Sequence, residues 1–206
     1  MHQVRIIGGR WKRTILPVVT AEGLRPTPDR VRETVFNWLC HLLDNEWGHV
    51  RCLDLFAGSG ALGFEAASRG AAAVTMVEAH TPAVRELEAV RGRLQASEIK
   101  ILRGDAPTVA RNMIANGAKA CFDVIFLDPP YHEGWLAKML PICNELLAEQ
   151  GLLYVETEMS LADPVQGEES LVVPSLPVGW KIVRADRAGL VFYHLLQCDQ
   201  PSGREA

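Results

Sequence analysis

The sequence predicts an α/β protein, a doubly wound and largely parallel sheet with helices on both faces and an antiparallel hairpin at one edge. Three observations carry this. An apolar stretch, Leu53-Asp54-Leu55-Phe56, runs straight into the turn Ala57-Gly58-Ser59-Gly60 and then into good helix formers. From Arg51 onward, strand-like and helix-like stretches alternate. That order, βαβαβαβαβ, builds parallel sheets, because each crossover places a helix on a face.

The elements follow in chain order. Residues 3–7 and 14–19 have the pattern of two short strands around Gly8-Gly9-Arg10-Trp11-Lys12-Arg13, a hairpin with a basic, aromatic-bearing loop. Residues 21–28 form a Gly/Pro linker, after which Thr27 can cap a helix whose first position is Pro28. That helix should run to about Leu43, with Val31, Val35, Trp38, Leu39 and Leu42 on one stripe. Trp38 is therefore a core candidate. Strands are expected at 52–56, 73–77, 100–102, 122–127 and 152–156, and helices at 61–68, 82–95, 107–115 and 135–148. Residues 181–185 and 190–196 flank Asp186-Arg187-Ala188-Gly189 and read as the edge hairpin. Residues 163–177 are proline-rich and loop-like, and the end of the chain reads as a frayed tail. The expected organisation is a hairpin appendage over 1–24, a main domain over 25–198 and a tail over 199–206.

Composition narrows the function classes. The chain has 206 residues and 48% hydrophobic content, enough for one sizeable core. No apolar run approaches the ~20 residues of a membrane span. The first residues, Met1-His2-Gln3-Val4-Arg5, lack an apolar signal core, so a cytoplasmic location is expected. Five single cysteines form no C-x-x-C, which points to reduced thiols and no metal site. Net charge is −4, which argues against wholesale nucleic-acid binding. The charge is uneven: residues 1–35 carry a net +4 and the remainder −8. A basic segment on an acidic body suggests a local site for a polyanion. Its candidate contacts are Arg10, Lys12, Arg13, Arg25, Arg30 and Arg32.

The site candidates cluster at strand ends, where ligands collect in such sheets. Gly58, Gly60 and Gly63 fit G-x-G-x-x-G, and Glu78 follows at the distance of a ribose-binding carboxylate. That spacing alone would suit a dinucleotide enzyme of the NAD-type oxidoreductase class. Two features pull the other way. Asp54 puts a carboxylate inside the strand, where burial is costly without a partner. Asp128-Pro129-Pro130-Tyr131 follows the apolar run 124–127. Prolines end a central strand and stiffen the loop. An Asp carboxylate and a Pro carbonyl pointing one way make a two-acceptor cradle for an –NH₂ group. Holding both hydrogens turns the amine's lone pair toward an incoming methyl group. Tyr131 offers a flat face for stacking a base. Asp105, after the third strand, could cap the next helix or meet an adenine amino group.

D-x-F-x-G-x-G, the acidic strand end and D-P-P-Y together resemble the S-adenosylmethionine-dependent amino methyltransferases. Arg5-Ile6-Ile7-Gly8-Gly9-Arg10-Trp11 and the stretch from Leu24-Arg25-Pro26-Thr27-Pro28-Asp29-Arg30-Val31-Arg32-Glu33-Thr34 to Leu39 resemble the RsmD family specifically. The likeness runs from about residue 3 to 196. It implies a class I methyltransferase fold, S-adenosyl-L-methionine as cofactor, and methylation of a guanine N2 in 16S rRNA of an assembled or nearly assembled small ribosomal subunit. It implies Asp54, Phe56, Ala57, Gly58, Ser59 and Gly60 around the methionine part, Glu78 and Ala79 at the ribose, and Asp105 and Ala106 near the adenine. It places Asp128, Pro129, Pro130 and Tyr131 at the target base, in a chain acting as a monomer. The chain departs from the family where a glycine is common among the basic residues after Trp11, and where Tyr131 replaces a common Phe. Other readings of the same residues are an N6-adenine or glutamine-amide methyltransferase and a ribosome-assembly factor without catalysis.

Overall fold

The structure is a computed structural model, and it describes residues 4–19, 28–130, 134–161 and 176–199. Two strands, β1 (Val4–Arg5) and β2 (Ile15–Leu16), pair antiparallel near the N-terminus. Helix α1 (Asp29–Leu42) follows. Then come β3 (Arg51–Asp54), α2 (Ala61–Arg69), β4 (Ala73–Glu78), α3 (Thr81–Leu94) and β5 (Ile99–Arg103). The chain continues through α4 (Ala106–Ala115), β6 (Phe122–Leu127), α5 (Trp135–Leu146), β7 (Leu147–Thr157), β8 (Trp180–Ala188) and β9 (Val191–Cys198).

The seven-stranded sheet has the order β5-β4-β3-β6-β7-β9-β8. The first five strands are parallel, and β9 pairs antiparallel with both β7 and β8. The strand order reverses at β3, which lies between β4 and β6. This topological switch point opens a crevice at the carboxyl ends of β3 and β6. It is the class I S-adenosylmethionine-dependent methyltransferase fold, with the small hairpin added.

Side chains of the strands alternate between two packed layers. Cys52, Val74, Val124, Phe126 and Tyr154 face α1, α2 and α3, where Phe36, Leu39, Phe64 and Leu87 complete the layer. Leu53, Val77, Ile125, Leu127 and Val155 face α4 and α5, against Ala110, Met139, Leu140 and Leu146. The apolar stripe of α1 behaves as its spacing requires: Val31, Val35 and Leu39 are buried, and Trp38 stacks on Tyr193 with ring centroids 5.4 Å apart.

The N-terminal hairpin is built into the first layer. Val4, Ile6 and Leu16 are buried there. Its strands are shorter than the sequence pattern suggests, because the backbone finds other partners. Ile7 and Gly8 donate their N–H groups to the carboxylate of Glu65 on α2, at 2.6 and 2.9 Å. Trp11 N–H donates to Ser68 Oγ, and that hydroxyl donates to Gly8 O at 2.7 Å. Gly9 has φ +72°, and a Cβ there would lie 1.9 Å from Ser68 O. Only glycine permits so close an approach to α2.

Two further boundaries differ from the sequence pattern. Helix α1 starts at Asp29 with Pro28 as its N-cap, so Pro28 is not the first helical residue, and Thr27 lies outside the described residues. Strand β7 begins at Leu147, and α5 accordingly ends at Leu146. Phe122 pairs with Leu147, the register shifts, and pairing resumes at Val124 with Leu152. The intervening residues form a bulge with Gln150 at φ +60°. The loop expected over 163–177 lies outside the described residues up to 175.

Candidate active site

A cavity of about 290 Å³ opens at the carboxyl ends of β3, β4 and β6. Its first wall is the turn after β3. Gly58 adopts φ +52° and Gly60 φ +77°, as a turn feeding directly into α2 requires. Gly60 is the N-cap of α2 and stands behind the cavity wall, where a Cβ would strike Phe64 and Leu87. Its role is to let the turn close. Gly63 serves packing: a Cβ there would meet the Met76 side chain at 2.5 Å.

Asp54 is buried, and one carboxylate oxygen accepts the N–H of Gly63 at 3.1 Å. Burial pushes its carboxyl up to about 7. The hydrogen bond from Gly63 opposes that rise, the nearby Glu78 charge adds to it, and the backbone N–H of Phe56 opposes it further. Glu78 ends β4 and ties two turns together. Its Oε2 accepts Gly58 N–H and its Oε1 accepts His80 N–H, both at 2.7 Å. Each oxygen keeps a second lone pair for a ligand.

Asp105 is exposed and caps α4, accepting the Thr108 N–H at 3.1 Å, and it also lines the cavity. The Thr108 hydrogen bonds hold its carboxyl below the usual carboxylate range. Asp128, Pro129 and Pro130 form the opposite wall with Trp135. Phe56 meets the Trp135 ring edge-on at 5.2 Å. Phe56, Ala57, Ser59, Ala79 and Ala106 all line the same space. Tyr131 lies outside the described residues.

The charge of this cavity decides between ligand classes. Four carboxylates line it, from Asp54, Glu78, Asp105 and Asp128, and no Lys, Arg or His does so among the described residues. The Gly58 N–H, which a dinucleotide site would turn to a pyrophosphate, is held by Glu78 instead. An anionic pyrophosphate would meet uncompensated repulsion here. A cationic sulfonium with an ammonium group suits the same walls, and the cavity has the size of a nucleoside ligand.

Some lining residues carry no sequence signal. Val18 and Val19, just after β2, reach the cavity, as do Leu62 and Ala83. Glu156, buried at the end of β7, accepts a 2.7 Å hydrogen bond from the Tyr154 hydroxyl. A carboxylate closing an apolar strand beside Asp128 is the one available sign of it.

The basic residues divide. Lys12 and Arg13 are exposed at the hairpin turn, and Arg30 is exposed at the start of α1. Arg10 pairs with Glu98 and lies over the Trp11 ring at 4.1 Å. Arg32 departs from the expected RNA contact. Its side chain is fully buried, donating to Arg5 O at 2.8 Å and to Asp29 at 2.6 Å. It holds the hairpin to α1 and cannot meet a phosphate from there. Arg25 lies outside the described residues. Among the described residues, no group of three or more His, Cys, Asp or Glu could hold a metal ion, and no helix is long and apolar enough to cross a membrane.

Comparison with known proteins agrees with this geometry. The family model described as Conserved hypothetical protein 95 matches residues 4–197. The chain is 38% identical over 197 residues to Ribosomal RNA small subunit methyltransferase D of Escherichia coli K12, covering 95% of this chain and 90% of that protein. The chain belongs to this family, the RsmD family. Its Haemophilus influenzae member of the same name is 36% identical over 199 residues, covering 95% and 94%. The solved structure of a family relative, the putative methyltransferase yhhF from Escherichia coli, superposes with a TM-score of 0.77 at 36% identity, covering 97% of this chain and all of that one. A more distant structure, SMU.776, a putative methyltransferase complexed with SAH, shares the fold at a TM-score of 0.63 and 14% identity, covering 85% of this chain and 50% of that one.

Proposed function

We propose that this chain transfers a methyl group from S-adenosyl-L-methionine to the exocyclic N2 of one guanine in 16S rRNA, within a small ribosomal subunit. The observation that carries the reading is the all-carboxylate cavity joined to the Asp128-Pro129-Pro130 wall. Membership of a family whose curated members are named small-subunit rRNA methyltransferases supplies the substrate class. A cytoplasmic enzyme acting as a monomer suffices, since one chain lines the whole cavity.

The cofactor, when bound, supplies a methyl group on a positively charged sulfur. The chain's residues provide the rest. Glu78 takes the ribose hydroxyls with the lone pairs left after Gly58 and His80. Asp54 faces the methionine ammonium, and that cation draws its raised carboxyl back to the charged form. Asp105 or the adjoining Ala106 meets the adenine edge. Asp128 and the Pro129 carbonyl take the two hydrogens of the guanine amine. Sulfonium is already a good leaving group, so orientation contributes most of the acceleration.

The test is methyl transfer from a labelled donor into small subunits lacking the modification, followed by mass mapping of the nucleotide. N2-methylguanosine at a single rRNA position is the expected product. Label on an adenine, on protein, or nowhere would overturn the reading.

A further inference from the structure

Strands β6 and β7 are parallel neighbours, with Phe126 opposite Tyr154 and Leu127 opposite Val155. Phe126 and Tyr154 point into the layer beneath α1, whereas Leu127 and Val155 point into the other. The alternation continues, so Asp128 and Glu156 follow side by side on the α1 face. Adjacent strands lie about 4.8 Å apart. Two carboxylates therefore stand next to each other at the sheet edge where the target amine must lie.

Their surroundings fix one of them firmly. Glu156 is only 5% exposed, and the Tyr154 hydroxyl donates to its Oε1 at 2.7 Å. Tyr154 is itself fully buried and packs edge-on against Phe126 at 6.2 Å. Its phenol is pushed well above its ordinary value, by burial first and then by the charges of Glu156 and Asp128. The three groups thus form one electrostatic cluster. A carboxylate can accept several hydrogen bonds, and Tyr154 uses one.

Neighbouring acceptors select a ligand with neighbouring donors. Guanine presents such a row on its Watson–Crick edge: the N2 amine and, beside it, N1–H. Adenine presents an amine beside a bare N1 acceptor, which would face a carboxylate lone pair to lone pair. We infer that Glu156 is a specificity-determining residue that accepts the guanine N1–H while Asp128 holds N2, and that Tyr154 is the positioning residue that aims it. The inference rests on the guanine-N2 reading above and adds the group that tells guanine from other amino-bearing bases.

The experiment uses small subunits reconstituted with either guanine or 2-aminopurine at the target position. 2-Aminopurine keeps the N2 amine but has an unprotonated N1. Single-turnover methylation of the two gives a discrimination ratio. The native enzyme should favour guanine strongly. Glu156→Gln offers an amide N–H to the bare N1, so it should lower the ratio about 10-fold or more, the scale of one well-placed base contact. S-adenosylmethionine affinity should stay within twofold. Tyr154→Phe should shift the ratio in the same direction by less, a readout that simple loss of stability would not move. A Glu156→Gln enzyme with a native unfolding midpoint and an unchanged ratio would overturn the inference. Should that variant unfold, Glu156→Asp keeps the charge but withdraws it by one methylene, and an unchanged ratio there overturns it equally. Failure of the native enzyme to methylate guanine N2 would instead bring down the underlying reading, and it appears before any variant is made.

Discussion

The Glu78 carboxylate accepts the backbone N–H of Gly58 at 2.7 Å, across 20 residues of sequence. One side chain thereby fixes the turn after β3 and presents its remaining lone pairs to the cavity. Charge-assisted hydrogen bonds are about twice as strong as neutral ones. Glu78→Ala should weaken S-adenosylmethionine binding by roughly 1.5–3 kcal/mol. Glu78→Gln keeps one carbonyl oxygen and should lose less. Calorimetry giving native affinity for the alanine variant would remove Glu78 from the ribose.

Asp54 makes stability depend on pH in an unusual direction. Its folded carboxyl sits at about 7, above the ordinary 3.8. Between those values the folded state holds a proton that the unfolded chain has lost. Stability from this group is therefore full below about pH 4 and falls as pH rises through 7. His194 works oppositely. Burial lowers it to about 4, so its contribution grows from pH 4 to 6.5. Comparing native protein with Asp54→Asn isolates the first term. The variant should lose much of the decline between pH 4 and 7, a difference of order 2–4 kcal/mol at most. Denaturant unfolding of the cofactor-free protein at several pH values measures it, and parallel pH profiles for the two proteins would refute the assignment.

The basic N-terminal residues should separate by burial. Arg32→Ala leaves Arg5 O and Asp29 without their donors in a buried place. A loss of about 3–5 kcal/mol in unfolding free energy is expected, as for breaking a buried ionic pair. Neutralising Arg10, Lys12 and Arg13 together should leave most of the stability intact. It should instead weaken binding to small subunits and flatten the salt dependence by about 0.7–0.9 log units for each phosphate that is no longer neutralised. Arg10 is expected to contribute least, being paired with Glu98. An unaltered salt slope would make this turn a solvated loop.

What is legible in the sequence is local or periodic. The turn from Ala57 to Gly60 announces itself because positive φ demands glycine within a few residues of a strand. The spacing to Glu78 is set by one helix and one strand. Charge alone misassigns Arg32, because charge says nothing about burial: its partners, Arg5 O and Asp29, depend on how the hairpin meets α1. The docking of Ile7 and Gly8 on Glu65 spans 58 and 57 residues, and no local pattern marks it. Val18 and Val19 reach the cavity for the same reason. Glu156 escapes notice because it ends a strand whose apolar run looks like core alone.

Asp128 separates two mechanisms. It could remove a proton from the guanine amine, or it could accept a hydrogen bond and aim the lone pair. The free amine is barely acidic and becomes acidic only as the methyl arrives. Early removal of its proton by a carboxylate of ordinary pKa, about 4, is therefore unfavourable. The cavity wall also suits orientation, since Pro129 and Pro130 stiffen the backbone that carries the second acceptor. Asparagine offers a carbonyl oxygen at nearly the same place. Asp128→Asn should retain measurable single-turnover methylation, whereas Asp128→Ala should lose about 10²-fold or more, typical of misplacing a reacting group. Both should still bind S-adenosylmethionine, because Asp54 and Glu78 hold the other end of the cavity. If the asparagine variant folds, binds substrate and is as inactive as the alanine one, the orienting role fails. The rate of methyl transfer should then follow the ionisation of a single carboxyl, and its pH profile under single-turnover conditions would reveal the base.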